Sequence, residues 1–236
     1  MKRSKAETAQ TRRRILDAAA QAFKSNGIQG TGVAEIMAAA GLTHGGFYRH
    51  FASKDQLVAE MCAVSMDIFV DAAGTAAGMS HESFLEYIEH TLSAEYRDDT
   101  LGGCPLVAMG SELVRADAAT RRAASQGFED IVNVIAKWMP FEDPSAARVD
   151  AIFTLVSMIG AVTMSRIIDN PELSNQILDV TKKRLASLRA KARSAAKQHP
   201  VSPPESSQRR IKQRPARPGS KIQSKRTSAK SANADD

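Results

Sequence analysis

The sequence predicts an all-α protein. Apolar residues recur at helical spacing in long segments, and the strict alternation of β-branched residues that indicates strands is missing. Gly and Pro, 14 and 9 of 236 residues, are not enriched overall, and several of them stand where a predicted helix begins or ends. The length allows one or two domains with a sizeable core.

The N-terminal part of the chain predicts three helices in close succession. The first covers 11–26, where one apolar stripe recurs at helical spacing, and Gly27 ends it. Thr31 is a candidate N-cap for the second helix, which ends at Gly41. Thr43 is a candidate N-cap for the third, short helix.

Six further helices are expected, giving about nine in all. The fourth begins after Ser53, with Gln56 at the capping-box position, and runs to the late seventies. Aspartate–proline, asparagine–proline and cysteine–proline pairs mark three of the later starts. These later helices are predicted over about 80–97, from Cys104-Pro105 onward, over 117–139, over 144–168 and from 171 to about 195.

Charge is spread unevenly along the chain, whose net charge is +6. Residues 1–54 hold nine Lys/Arg against three Asp/Glu, and 190–236 hold twelve against three, whereas 55–189 hold eleven against twenty. Basic ends around an acidic middle indicate a polyanion partner at the ends. From about 196 the chain is rich in Pro, Ser, Lys and Arg without aromatics, so 196–236 are predicted to form a disordered basic tail.

Several classes of protein are disfavoured by the sequence. The basic N-terminus is followed by no apolar stretch at signal-peptide spacing, and the apolar run 151–164 is too short to span a bilayer. Cys62 and Cys104 do not make a disulfide framework. No Walker loop, dinucleotide fingerprint or zinc-ligand spacing is found. We therefore expect a cytoplasmic protein with no membrane partner, enzymatic activity, cofactor or metal.

The third predicted helix contains two adjacent glycines, although each costs roughly 0.5–1 kcal/mol relative to alanine in a helix. At about 100° per residue, Phe47 and Phe51 form its core face, and Gly45, Gly46 and Arg49 lie opposite. A bare patch lets the backbone approach a surface closely, and arginine can contact guanine in the major groove. Helices two and three with their short turn thus predict a DNA-binding helix-turn-helix, the alternative being a plain helical hairpin.

Residues 11–61 resemble the DNA-binding domain of the tetracycline-repressor (TetR) family. The match lies at Ile15, Ala18, Ala19, Phe23, Gly27, Thr31, Val33, Ile36, Ala40, Gly41, Leu42, Thr43, Gly45, Tyr48, His50, Phe51, Lys54 and Leu57. Met37 departs from the family's usual alanine, and Gly46 is a less common choice. The resemblance implies a sequence-specific transcriptional regulator, usually a homodimeric repressor of a palindromic operator in double-stranded DNA, that is released by a small-molecule effector.

By the same resemblance, the DNA contacts would come from nine residues. These are Thr31, Thr43, His44, Gly45, Gly46, Tyr48, Arg49, His50 and Lys54. The two heads of a dimer would read half-sites roughly 34–36 Å apart, or a multiple of this distance. The implied domains are a basic N-terminal arm (1–10), a helix-turn-helix domain (11–56), a regulatory and dimerisation domain (57–195) and the basic tail (196–236).

The regulatory part leaves several alternatives open. The helices over 144–168 and 171–190 resemble the family's dimerising pair, although the first could simply be the core of its own domain. Cys104 would sit at a helix N-terminus, where a lowered pKa would favour a thiolate that senses oxidants, the alternative being a buried, inert thiol. Candidate residues for an adaptable pocket, or else for core packing, are Cys104, Met109, Phe128, Trp138 and Met158.

A competing function is carried by the basic tail alone. Twelve Lys/Arg in 190–236 favour nonspecific contacts with DNA phosphates, so the protein could be an architectural DNA binder without sequence preference. The tail could equally be a solvated linker.

Overall fold

Nine α-helices and one 3-10 helix make up the computed structural model, which describes residues 5–99, 103–139, 141 and 143–198. No strand occurs in these ranges, so the all-α prediction is confirmed. The elements are α1 (Lys5–Gly30), α2 (Val33–Ala39), the 3-10 helix (His44–Arg49), α3 (Lys54–Met79), α4 (His81–Thr91), α5 (Ala94–Asp98), α6 (Pro105–Leu113), α7 (Ala118–Ala136), α8 (Pro144–Ile167) and α9 (Pro171–Gln198).

Both ends of the predicted domain division need adjustment. The predicted arm is helical from Lys5 onward as part of α1, and residues 1–4 lie outside the described part. Of the predicted tail, 196–198 belong to α9, and 199–236 lie outside the described residues. The α3 helix crosses the predicted boundary at residue 56 without a break, so the two predicted domains share one helix.

A kink divides α1 at Gly27, where the sequence predicts the helix to end. This residue has φ +76° and ψ 162°, a left-handed φ that glycine adopts without a steric cost. Ile28–Gly30 add one more helical turn after the kink. The break is therefore confirmed, although the helical residues extend further in both directions than 11–26.

The predicted regulatory domain, 57–195, is the regulatory part of the chain. The α3 helix lies at its centre, with α7 packed along it. At Gly127 of α7 the two helices approach closely, since a Cβ there would lie 2.5 Å from Met66 Cβ. The start of α3 follows the prediction: Ser53 Oγ accepts from the Gln56 N–H at 3.1 Å, and Gln56 Oε1 accepts from the Ala52 N–H. The bond to Ser53 satisfies an amide that the first helical turn leaves without a partner, and the bond from Ala52 fixes the residue before the N-cap.

The predicted helix over 80–97 is wrong as a single element. It is divided into α4 and α5 at Leu92 and Ser93, where the Ser93 hydroxyl accepts from the Tyr96 N–H at 3.1 Å. Serine side chains compete in this way for backbone amides and favour helix starts over helix interiors.

The α8 helix has two apolar faces, one buried and one exposed. Leu155, Met158 and Val162 are buried against the rest of the protein, whereas Phe153 and Val156 are more than half exposed. The whole of α8 is longer than the apolar run 151–164, and its length and composition match those of a membrane-spanning helix, as those of many buried core helices do. Since 39% of its most apolar window is buried, α8 also has a place in a protein core.

Candidate DNA-binding surface and effector pocket

The turn between α2 and the 3-10 helix is held by backbone bonds and by one arginine. Gly41 adopts φ +67°, its N–H donates to Ala38 O at 2.9 Å, and the Leu42 N–H donates to Met37 O at 2.8 Å. The Arg14 guanidinium donates to Ala40 O from α1. The two helical segments are therefore fixed relative to α1 before any DNA is bound.

The third predicted helix is a 3-10 helix rather than an α-helix. Its bonds run from the Gly46 N–H to Thr43 O and from the His50 N–H to Phe47 O, at 3.0 and 2.8 Å. Two adjacent glycines lower α-helix propensity, and short runs tolerate the tighter 3-10 geometry. Thr43 occupies the N-cap position, but its side chain makes no capping bond.

Five of the predicted DNA contacts are exposed in and beside this element: Thr43, His44, Gly45, Tyr48 and Arg49. Tyr48 is 68% exposed, and a Cβ at Gly45 would meet nothing within 4 Å. On the inner side, Phe47 and Phe51 are buried with ring centroids 5.6 Å apart, as the sequence predicts. The aromatic pair anchors the element and leaves its outer side chains accessible.

Gly46 does not share the open position that the helical wheel predicts for both glycines. It is half-buried, and a Cβ there would lie 3.5 Å from Met37 Cε and 3.8 Å from Thr43 Oγ1. The wheel assumed an α-helix, and the tighter 3-10 winding turns residue 46 toward α2.

Thr31 is buried with 1% exposure, which contradicts its predicted roles as N-cap and DNA contact. Its hydroxyl donates to Gly27 O at 2.7 Å, and Gly32 is the N-cap residue of α2. The side chain therefore satisfies a carbonyl at the α1 kink instead of an amide of α2.

His50 and Lys54 are half-buried at the edge of the surface. The His50 carbonyl accepts from the Arg12 guanidinium. Lys54 begins α3, as predicted, and its Nζ lies 5.9 Å from the centroid of the Phe23 ring. Both residues border the exposed group, and each also has an intrachain contact.

Two arginines near the start of α1 form ion pairs inside the chain. Arg12 pairs with Glu60, and its guanidinium carbon lies 4.0 Å from the centroid of the Phe51 ring. Arg13 pairs with Asp17 at 3.2 Å. Of the basic residues of 1–54 that indicate a polyanion partner, these two thus already pair with carboxylates of the chain.

A closed apolar pocket lies between the helices of the regulatory part. Its lining includes Phe69, Phe84, Ile88, Cys104 and Met158. The cavity volume is about 20 Å³, room for about one water molecule. A larger, open cleft of about 510 Å³ between α1 and α3 is bordered by Asp17 and Lys24 and faces solvent.

The predicted pocket residues separate into two groups. Cys104 and Met158 line the closed pocket. Trp138 lies one layer behind it, with its ring stacked on Phe84 at a centroid distance of 5.9 Å. Met109 is a fully buried core residue, and Phe128 is a half-buried one packed against the core.

Cys104 is the N-cap residue of α6, as predicted, but it is buried with 3% exposure. Burial raises the pKa of its thiol to about 11, against the opposing effect of the Leu106 and Val107 amides. The helix N-terminus does not offset the loss of solvation, so the thiol is protonated at neutral pH. The structure contradicts the predicted thiolate and favours the alternative of a buried, inert cysteine.

Tyr87 is a pocket residue that the sequence did not indicate. Its hydroxyl is buried and has no hydrogen-bond partner, and burial raises its pKa above the ordinary value. An unsatisfied buried hydroxyl is uncommon in a native protein and calls for an explanation. Tyr87 lies on α4 and Cys104 at the start of α6, so no local sequence pattern indicates that the two residues line one pocket.

Glu112 of α6 also went unrecognised in the sequence. Its carboxylate accepts from the Ile28 N–H at 2.9 Å and from the Gln29 N–H at 3.0 Å, just beyond the α1 kink. The kink at Gly27 leaves these amides without their usual helical partners. One carboxylate of the regulatory part thus holds the end of α1 in the helix-turn-helix part.

Among the residues that the structure describes, no group of three His, Cys, Asp or Glu side chains is placed to hold a metal ion.

This arrangement defines a helix-turn-helix protein of the DNA-binding class, with helical regulatory elements attached. The family model for bacterial regulatory proteins, tetR family, matches residues 15–61. Solved structures agree on the fold: the reduced form of Escherichia coli NemR has a TM-score of 0.66 at 18% identity, covering 75% of this chain and 96% of that one. Residues 15–61 thus match the tetR family, and the solved structures share the fold of the chain.

Curated relatives match part of the chain. The transcriptional regulator AcrR of Shigella flexneri is 30% identical over 104 residues, 41% of this chain and 48% of that protein. The transcriptional repressor BepR of Brucella suis is 37% identical over 86 residues, 36% of either chain. The chain thus spans about half or less of the length of these relatives.

Proposed function

We propose that this protein is a cytoplasmic, homodimeric transcriptional repressor that leaves its operator when a small molecule binds the regulatory part. The observation that carries the proposal is the exposed group around Gly45 on an element anchored by Phe47 and Phe51. Its support from relatives is the match of residues 15–61 to DNA-binding regulators. The protein performs no catalysis in this proposal.

The proposed DNA contacts come from the 3-10 helix and its borders. Arg49 reads a guanine edge, because its fork of donors matches the guanine acceptors in the major groove. Tyr48 and Thr43 contact phosphates, which fix the position of the element without reading sequence. The full proposed set is Thr43, His44, Gly45, Gly46, Tyr48, Arg49, His50 and Lys54, and it omits the buried Thr31.

Close approach of the backbone to DNA is the role we assign to Gly45. A Cβ at this position would meet no protein atom, so packing inside the protein gives no reason for a glycine. On the outer surface, each absent side-chain atom lets the backbone lie nearer to the bases. The free energy by which this glycine destabilises the helix is then offset by contacts in the DNA complex rather than in the free protein.

Dimerisation is proposed through the outer face of α8 and α9. Apolar residues are exposed there at helical spacing: Val149, Phe153, Val156, Met164 and Ile167 on α8, and Leu173, Val180 and Leu188 on α9. A contiguous exposed apolar surface of this kind marks an interaction site. Gly160 in the same row has open space around it, which allows a second helix to approach closely.

Release from DNA is proposed to pass through α6. Its N-terminal end contributes Cys104 and Val107 to the closed pocket, and its C-terminal end holds the α1 kink through Glu112. The Lys24 amine of α1 adds a contact to Gly103 O, at 3.4 Å, just before α6 begins. A ligand that displaces α6 therefore changes the position of α1 and of the turn that α1 supports.

The decisive experiment is a titration of the purified protein against DNA flanking its own gene, at several salt concentrations. Arg49→Ala should lose roughly 1–3 kcal/mol of discrimination between the preferred site and scrambled DNA. Arg121→Ala, at an exposed position on α7, removes the same charge and should keep the preference. If both variants behave alike, Arg49 does not read bases.

The alternative function is an architectural DNA binder that uses the basic segment 190–236. The observation favouring it is the excess of Lys/Arg in that segment, most of which lies outside the described residues. Deleting 199–236 should then lower the salt dependence of DNA binding, because fewer counterions are released. Uniform coating of any DNA by the full chain would favour this function over the repressor.

A further inference from the structure

The four polar side chains of the closed pocket differ in whether their hydrogen-bonding groups are used. Thr91 Oγ1 donates to Tyr87 O at 2.9 Å. Tyr96 Oη accepts from the Cys104 N–H at 3.0 Å. The Cys104 thiol interacts with the amides that follow it in α6. The Tyr87 hydroxyl alone, among these four described groups, has no partner.

The Tyr87 hydroxyl is buried, and its residue lines the same pocket as the other polar groups. Tyr96 and Cys104, which both line the pocket, are the electrostatic neighbours that raise the pKa of Tyr87 after burial itself. A phenol can donate one hydrogen bond and accept others, so its buried position leaves a donor without an acceptor. Leaving such a group unsatisfied is costly unless another state of the protein supplies a partner.

No charged side chain lines this pocket in the described part of the chain. A ligand with a carboxylate or an ammonium group would lose its hydration there and gain no countercharge. The aliphatic and aromatic lining instead offers dispersion contacts to an apolar ligand. The lining thus selects against charge, and Tyr87 selects for one polar atom.

Resting on the proposed role of this pocket as the effector site, we propose that its ligand is an uncharged, largely apolar molecule with one acceptor oxygen that receives the Tyr87 hydroxyl hydrogen bond. The cavity of about 20 Å³ is too small for such a molecule, so binding displaces lining side chains. Met158 is the most adaptable of these, because its unbranched chain has three rotatable bonds. Displacement of Cys104 and Val107, which also line the pocket, moves α6.

Three probes of similar shape and different polarity test this ligand class. Cyclohexyl methyl ketone carries one acceptor oxygen, ethylcyclohexane carries no polar atom, and cyclohexanecarboxylate carries a charge. Binding to the full chain without DNA is followed by the fluorescence of Trp138, the single tryptophan, which stacks on the pocket residue Phe84. Free tryptophan is the blank for direct quenching by each probe.

Comparison between variants isolates the hydrogen bond from differences in probe solubility. Tyr87→Phe should weaken ketone binding roughly three- to tenfold and change ethylcyclohexane binding less than twofold. Thr91→Val removes a hydroxyl that is already hydrogen-bonded to the backbone, so any change in affinity should be equal for the ketone and the hydrocarbon. The carboxylate should bind at least about a hundredfold more weakly than the ketone.

Two results would overturn the proposed ligand class: equal loss of ketone and hydrocarbon binding in Tyr87→Phe, or carboxylate binding as tight as ketone binding. Failure of all three probes to bind would overturn it as well. The proposed repressor function is judged separately, by release of operator DNA. If the ketone binds through Tyr87 but DNA stays bound, the ligand class stands and the effector role fails.

Discussion

The carboxylate of Glu112 is the contact whose loss should have the clearest consequences. It accepts hydrogen bonds from two backbone amides at 2.9 and 3.0 Å, and it bridges α6 to the end of α1. Ile28 is 7% exposed, so its amide has little access to water when the carboxylate is removed, whereas Gln29 is exposed and its amide can be hydrated. The cost is therefore dominated by one amide.

Glu112→Ala should lower the free energy of unfolding by about 1–3 kcal/mol, the usual penalty for leaving one buried donor without a partner. Glu112→Gln keeps the volume, and its carbonyl oxygen can still accept from the Ile28 N–H while its NH₂ group faces the exposed Gln29 amide, so it should recover more than half of the loss. Glu86→Ala makes the same change at an exposed site on α4 and should shift stability by less than about 0.5 kcal/mol.

Two measurements follow these variants: urea unfolding by circular dichroism, and hydrogen exchange of the Ile28 and Gln29 amides. Faster exchange at these amides, with regulatory helices such as α7 unchanged, would locate the loss at the α1 kink. Glu112→Ala should still bind operator DNA but respond less to an effector, because α6 no longer holds α1. If exchange at 28–29 equals that of the unmodified protein, the carboxylate does not hold the kink and the proposed coupling fails.

Three other changes test separate parts of the structure. Val156→Asp on the outer face of α8 should convert a dimer to a monomer in sedimentation, whereas Val114→Asp, also at an exposed apolar site, should not; a dimer that survives the first change would exclude this face. Tyr87→Phe should leave stability unchanged or raise it by up to about 1 kcal/mol in urea unfolding, since it removes an unsatisfied hydroxyl, and a clear loss would reveal a hidden partner. Cys62 and Cys104 have pKa values raised to about 11 by burial, so stability should fall as pH rises from about 9 to 11, where only unfolded chains lose these protons. Their alkylation at neutral pH should correspondingly be far slower than that of free cysteine, and fast modification of Cys104 would restore the oxidant-sensing hypothesis.

Local signals predicted the start of the molecule well because they act within a few residues. Gly27 and Gly41 have positive φ, where glycine carries no steric cost, and both mark the breaks expected from the sequence. Ser53 and Gln56 form their capping bonds within one turn of each other. The buried pair Phe47 and Phe51 was predicted from α-helical spacing. Phe51 lies just beyond the 3-10 helix, where its N–H donates to Phe47 O at 3.1 Å, an α-type bond that keeps the two rings on one side.

Contacts between distant segments account for the features that the sequence did not reveal. Glu112 meets amides more than eighty positions earlier, and no local pattern distinguishes it from other helical glutamates. Thr31 has the composition of an N-cap, but the nearby carbonyl of Gly27 competes for its hydroxyl. Cys104 was placed correctly at a helix N-terminus, and only the packing around it shows that desolvation outweighs the helix dipole.

The two departures from the family pattern, Met37 and Gly46, lie against each other. Met37 is completely buried on α2, and its terminal methyl lies 3.5 Å from the position that a Cβ of residue 46 would occupy. This is an ordinary van der Waals distance to the end of a flexible side chain, so the packing of Met37 would also admit an alanine at 46. Packing inside the chain therefore requires glycine at neither 45 nor 46, which is what the proposed close approach of the backbone to DNA would explain.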